Sequence, residues 1–179
     1  GGDHWSSSKH HGLIETPFIR RGDSAYVFVE GPSWTEAEAN ANKLGGHLVT
    51  INDTDENQWL VDNLSGYDYY YENTDPNKIT ASGISTREYF KDTYWIGFKR
   101  KSDNYVEHEW ISGSDWNYEN FGYMEPFGGR YGEISLRIKY DFWARQAGNW
   151  NQEEGTNPHY GIAEIKLAPN NAPTGTLSI

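Results

Sequence analysis

The sequence predicts an α+β domain, because two helical patterns come first and most of the strand patterns follow. Apolar residues recur at helical spacing in two segments between residues 34 and 64, whereas four runs rich in β-branched and aromatic residues lie between residues 94 and 167. This is not the alternating βαβ order that predicts a parallel sheet. The length of 179 residues matches one domain with tails.

The first helix is predicted to follow a short strand, "AYVFV", at residues 25–29. Ser33 with Glu36 three residues later forms a capping box, which marks the start of the helix. Gly45 and Gly46 mark its end. The buried face is predicted to consist of Trp34, Ala37, Ala41 and Leu44.

The second helix is predicted to follow the strand "HLVTI" at residues 47–51. Asp53 with Glu56 repeats the cap pattern, and an apolar face follows at Trp59, Leu60 and Leu64. The later strands are predicted at "YWIGFKR" (94–100), "HEWIS" (108–112), "EISLRIKY" (133–140) and "YGIAEIKL" (160–167).

Three long segments without regular periodicity separate these elements, at 67–92, 113–132 and 141–159. Long irregular loops on a rigid scaffold are where binding functions concentrate. The first of them holds four clustered tyrosines, which form either a binding platform or part of the core.

The composition excludes several classes of function. A net charge of -11 opposes binding to nucleic acid, and no apolar run is long enough for a membrane helix. The absence of cysteine excludes disulfides and thiol catalysis. Neither a G-x-S-x-G nor an H-E-x-x-H motif is present, so a non-catalytic protein is predicted.

An ordered set of fragments between residues 25 and 167 resembles the C-type lectin-like domain family, especially its bacterial members. The fragments are "SWTEAEANANKLGGHLVTIND", "ENQWL", "YWIGF", "EW", "MEP", "NWN" and "YGIAEIK". The resemblance implies a double-loop α+β fold with two helices, two small antiparallel sheets and a long loop that carries ligand sites. It also implies a close contact between Ala41 and Ala163, which stand where relatives have a disulfide.

The resemblance implies a domain at residues 24–168. Residues 1–23 are then an N-terminal extension, and residues 169–179 are a linker or the start of an Ig-like or cadherin-like repeat. We therefore expect a module of a larger bacterial chain, located outside the cell or on its surface.

A loop calcium ion is the first metal site that the resemblance implies. Its ligands are Glu125, which precedes a proline with a cis peptide bond, together with Glu133 and Asn151. Phe127 and Gln152 depart from the family pattern by removing an oxygen and a negative charge, for which Glu153 is a candidate replacement. Calcium retention and its loss both stay open.

A structural calcium ion at Glu56 and Glu164 is the second implied site. The alternative is that Glu56 caps its helix while Glu164 pairs with a basic residue.

The ligand surface is predicted in the long loops, and carbohydrate is the expected ligand. Its predicted residues are Glu125, Phe127, Glu133, Asn151, Gln152, Trp116 and Tyr123, with further rings at Tyr118, Tyr131 and Trp143. About half of these rings are expected to be core. The alternative is a calcium-independent domain that binds a cell-surface protein through its aromatic loops.

Overall fold

The computed structural model describes residues 18–65, 93–102, 106–136 and 146–168. In chain order they form β1 (Ile19–Arg21), β2 (Ser24–Val29), α1 (Trp34–Lys43), β3 (His47–Leu48), α2 (Thr54–Leu64), β4 (Thr93–Arg100), β5 (His108–Trp110), β6 (Tyr131–Ser135), β7 (Trp150–Glu153) and β8 (Tyr160–Lys166). The predictions for the tyrosine-rich segment, for Trp143 and for residues 1–17 and 169–179 lie outside the described residues.

Both helices begin at the predicted caps. The Ser33 hydroxyl accepts a hydrogen bond from the backbone N–H of Glu36 at 3.2 Å, and the Asp53 carboxylate accepts one from that of Glu56 at 2.7 Å. The prediction that Leu44 is buried is wrong, because Leu44 is the C-cap of α1 and its side chain is exposed. Among the described residues, no helix has the length and apolar character needed to cross a membrane.

The strands form two antiparallel groups that a short parallel pairing joins. One group contains β1, β2, β3 and β8, and the other contains β4 to β7. The strands β4 and β8 pair in parallel at Tyr94 with Tyr160 and at Trp95 with Gly161. The predicted α+β class is confirmed, and its two small sheets meet as one eight-stranded sheet in the described chain.

Besides shifts of one or two residues at strand ends, the strands differ from the predicted ones in three ways. Ile19–Arg21 pairs with β2, so the sheet begins inside the predicted N-terminal extension. The run at 47–51 is a strand only at its first two residues, although the N–H of Val49 still donates to the Ile162 carbonyl and its carbonyl accepts from the N–H of Gly97. Trp150–Glu153 forms β7 against β6, which the sequence did not predict as a strand.

The core has two parts, one on each side of the sheet. The larger part is aromatic and includes Phe98, Trp110 and Trp150. The smaller part lies under α1 and includes Ala41 and Ala163, both of which are fully buried. The expected close approach of α1 to β8 is therefore present without a disulfide.

Candidate binding site in the long loop

The loop between β5 and β6 folds back onto β7. The peptide bond between Glu125 and Pro126 is cis, as predicted. The Glu125 carboxylate accepts hydrogen bonds from the backbone N–H of Phe127 at 2.8 Å and from that of Gln152 at 3.2 Å. Glu125 therefore connects the turn of the loop to the strand beside it.

A cavity of 310 Å³ opens where this turn meets β7. Its walls consist of Tyr123, Met124, Glu125, Phe127, Asn151, Gln152 and Glu153. Tyr123 and Phe127 are each 77% exposed, and Met124 is 64% exposed. The cavity thus combines exposed apolar groups with carboxylate and amide groups.

Five of the residues predicted for the ligand surface line this cavity, whereas Glu133, Trp116, Tyr118 and Tyr131 do not. Glu133 lies opposite Asn151 in the pairing of β6 with β7, and it is 1% exposed. Its Oε1 accepts a long hydrogen bond of 3.4 Å from the Asn151 amide, and its Oε2 lies 2.8 Å from Nε2 of His159. Glu133 therefore faces the protein interior.

Trp116 belongs to a cluster of aromatic rings beneath the loop. Its ring stacks on those of Trp110 and His108, with centroids 4.9 and 5.1 Å away, and it contacts Trp150 edge-on. The indole N–H of Trp150 donates to the Asn57 side chain at 2.8 Å, which ties the cluster to α2. Through the rings of Phe121 and Trp150, this cluster packs the loop against β7.

His108 is a residue near the site that the sequence did not indicate. Its Nε2 lies 2.6 Å from Nε2 of Gln152, and an amide N–H can donate only to a ring nitrogen that carries no proton. Burial is the main cause that lowers the pKa of His108; the charge of Arg100 lowers it further, while that of Glu119 opposes the shift. His108 is therefore held neutral beneath β7.

We expect this histidine to make stability depend on pH. The unfolded chain takes up a proton near pH 6.5, whereas folded His108 resists protonation to lower pH, so the free energy of unfolding falls as the pH drops from about 7.5 to 5. Urea titrations of a His108→Gln variant should show a shallower decline than the wild type. An unchanged slope in His108→Gln would contradict the assignment.

Comparison with known proteins gives matches among solved structures. No family model matches the sequence, and no curated protein matches it either. Human lithostathine matches with 16% identity and a TM-score of 0.62, and the match covers 86% of this chain and 90% of lithostathine. The carbohydrate-recognition domain of mouse scavenger receptor C-type lectin matches with 19% identity and a TM-score of 0.59, and the match covers 88% of this chain and 98% of that domain.

A third similar structure is the Ca²⁺-independent C-type lectin SPL-2 from Saxidomus purpuratus. It matches with 22% identity and a TM-score of 0.57, and the match covers 85% of this chain and 93% of SPL-2. The chain has the C-type lectin-like fold. At these identities the likeness is one of fold, and the ligand has to be argued from the site.

The donors in this C-type lectin-like loop do not fit a calcium ion. Calcium takes six to eight oxygen ligands, yet Phe127 offers no side-chain oxygen and the Gln152 amide is turned to His108. The Glu153 carboxylate accepts a hydrogen bond of 2.9 Å from Asn157. Within the described ranges, no three His, Asp or Glu side chains gather as a metal site.

The second implied calcium position has basic side chains beside its carboxylates. Glu56 accepts a hydrogen bond of 2.7 Å from the Tyr26 hydroxyl, and Nη1 of Arg21 lies 3.4 Å from the same oxygen. Nζ of Lys166 lies 3.0 Å from Glu164. Burial, followed by the hydrogen bond to Glu56, raises the pKa of Tyr26, so its hydroxyl remains a donor. Glu164 therefore pairs with a basic residue, as the alternative to a calcium ion has it, while Glu56 contacts Tyr26 and Arg21.

Proposed function

We propose that this protein is a non-catalytic binding module that holds carbohydrate in the loop cavity. The observation that carries the proposal is the composition of the cavity wall, where the exposed rings of Tyr123 and Phe127 stand beside carboxylate and amide side chains. Small-ligand sites have this character, with apolar walls and a few polar groups that orient the ligand.

A sugar ring suits such a wall because it has an apolar C–H face and an edge of hydroxyl groups. Aromatic side chains stack against apolar faces, while their polar neighbours accept and donate hydrogen bonds. Asn151 is buried; its backbone is held by the pairing of β7 with β6 and its amide by a hydrogen bond to Glu133, so its position is fixed before the ligand arrives. A preorganised polar group loses little entropy on binding.

The structural comparisons support a carbohydrate ligand at the level of the fold. One similar structure is a carbohydrate-recognition domain, and another is described as a C-type lectin. As part of the same proposal, the module acts outside a bacterial cell or on its surface within a larger chain, which the resemblance of residues 25–167 to bacterial members supports.

A protein partner is the second candidate, and a separate observation favours it. Tyr123, Met124 and Phe127 form an exposed apolar group at the turn of the loop, and exposed aromatic and methionine side chains are enriched in protein interfaces. A partner protein would cover all three side chains, whereas a sugar would contact the rings through its face.

Removal of the Phe127 ring should weaken binding of the module's glycan about tenfold, because ring stacking contributes roughly 1.5 kcal/mol. A glycan array selects the ligand, and calorimetry then compares the wild type with Phe127→Ala. The matched control is Phe18→Ala, which removes another exposed phenylalanine that does not line the cavity.

Equal affinity in Phe127→Ala and Phe18→Ala would rule out this cavity as the carbohydrate site. An array on which no glycan binds would favour the protein partner. The case would be stronger if Met124→Ala also reduced binding of the protein to cells that bind the wild type.

A further inference from the structure

The Glu133 carboxylate is already committed to protein groups. Its Oε2 lies 2.8 Å from Nε2 of His159, and the side chains of both residues are at most 4% exposed. Its Oε1 accepts from the Asn151 amide. A carboxylate this deeply buried requires a polar partner, since an isolated charge in the interior costs several kcal/mol.

His159 is held in place from its other side. Its Nδ1 lies 3.1 Å from the Thr93 hydroxyl, and its ring packs edge-on against Trp95 with centroids 4.7 Å apart. Displacement of the imidazole would leave the buried carboxylate without the polar group that lies nearest to its Oε2, which is unfavourable. The contact between Glu133 and His159 is therefore a fixed part of the fold.

The carboxylates nearer the cavity also accept hydrogen bonds from protein groups. Glu125 is used to hold the backbone of Phe127 and Gln152, and Glu153 is used to hold Asn157. Each of these contacts fixes one part of the loop against β7 or its following turn. In a calcium-dependent loop the ion would have this task, because it would draw the same acids together.

We propose that the loop cavity binds its ligand without calcium, and that the buried imidazole of His159 holds Glu133 in place of the ion. The part of this inference that concerns the ligand rests on the proposed function. The part that concerns calcium does not, because calcium binding can be tested on the protein alone. The polar contacts to the ligand then come from side chains on the cavity wall.

The first measurement is a calorimetric titration of calcium chloride into chelator-treated protein, alongside thermal melting in ~5 mM calcium and in EDTA. We expect no heat of calcium binding that depends on Glu133, and no rise in Tm caused by calcium binding in the loop. A loop ion at about 100 times its Kd would raise the Tm by roughly 5 to 10 °C. If heat appears, loss of that heat in Glu133→Gln would overturn the proposal, whereas loss only in Glu56→Gln would assign the ion elsewhere and support it.

The second measurement is the affinity for the selected glycan in calcium and in EDTA. We expect the two affinities to agree within about twofold, and a loss of more than about tenfold in EDTA would overturn the proposal. His159→Gln, which keeps a side-chain donor, should bind the glycan equally well in both buffers. If no glycan binds in either buffer, the proposed function fails, while the calcium titration still decides the role of Glu133.

Discussion

Replacement of Trp150 by alanine is expected to lower the free energy of unfolding by about 5 kcal/mol. This loss equals the entire stability of a domain at the lower end of the ordinary range. Trp150 is fully buried at the start of β7 and contacts the rings of Phe98, Trp110 and Phe121. Its loss leaves a large cavity and removes the hydrogen-bond donor to the Asn57 side-chain oxygen.

Urea denaturation followed by fluorescence and circular dichroism measures this effect. The matched control is Trp59→Ala, because Trp59 is only half-buried and packs mainly on Tyr26 and beneath Arg21. We expect a loss of about 1 to 2 kcal/mol for the control. Similar losses in the two variants would contradict the central position given to Trp150.

Replacement of Gly97 by alanine is expected to cost about 3 kcal/mol. A Cβ at this position would overlap the carbonyl oxygen of Leu48 and lie 2.9 Å from that of Val49. The backbone at Leu48 is held by its pairing with β8 at Ala163, so it cannot retreat freely. The glycine in "WIGF" is therefore required by the close approach of two strands.

Thermal and urea denaturation of Gly97→Ala test this requirement. Gly122→Ala is the control, because a Cβ there would lie no closer than 3.2 Å to any neighbouring atom, the nearest being the Asn151 side-chain oxygen. We expect the control to lose about 1 kcal/mol or less. Equal stability of Gly97→Ala and the wild type would show that the strands can separate to admit a methyl group.

The helices were predictable because their signals are local. Ser33 and Asp53 each cap a helix through a residue three positions later, and such a pattern can be read without knowledge of the remaining chain. The fold class followed from the order of these patterns. Leu44 was misjudged because helical spacing does not show where the last turn ends.

The interior of the site was not predictable, because its contacts join residues far apart in the chain. His108 meets Gln152 across 44 positions, and the pairing of β6 with β7 brings Glu133 opposite Asn151. The sequence grouped Glu133 with the cavity residues, but the strand pairing turns it toward His159. Side-chain direction on a strand depends on register, which composition does not specify.

The most direct test of the account is to map the bound glycan on the protein by nuclear magnetic resonance, with the glycan that an array selects. The account predicts that amide shifts on titration concentrate at Tyr123, Phe127 and Asn151 and persist in EDTA. Shifts that concentrate elsewhere, for example on α2 around Trp59, with none in the loop, would contradict the assignment of the cavity as the binding site.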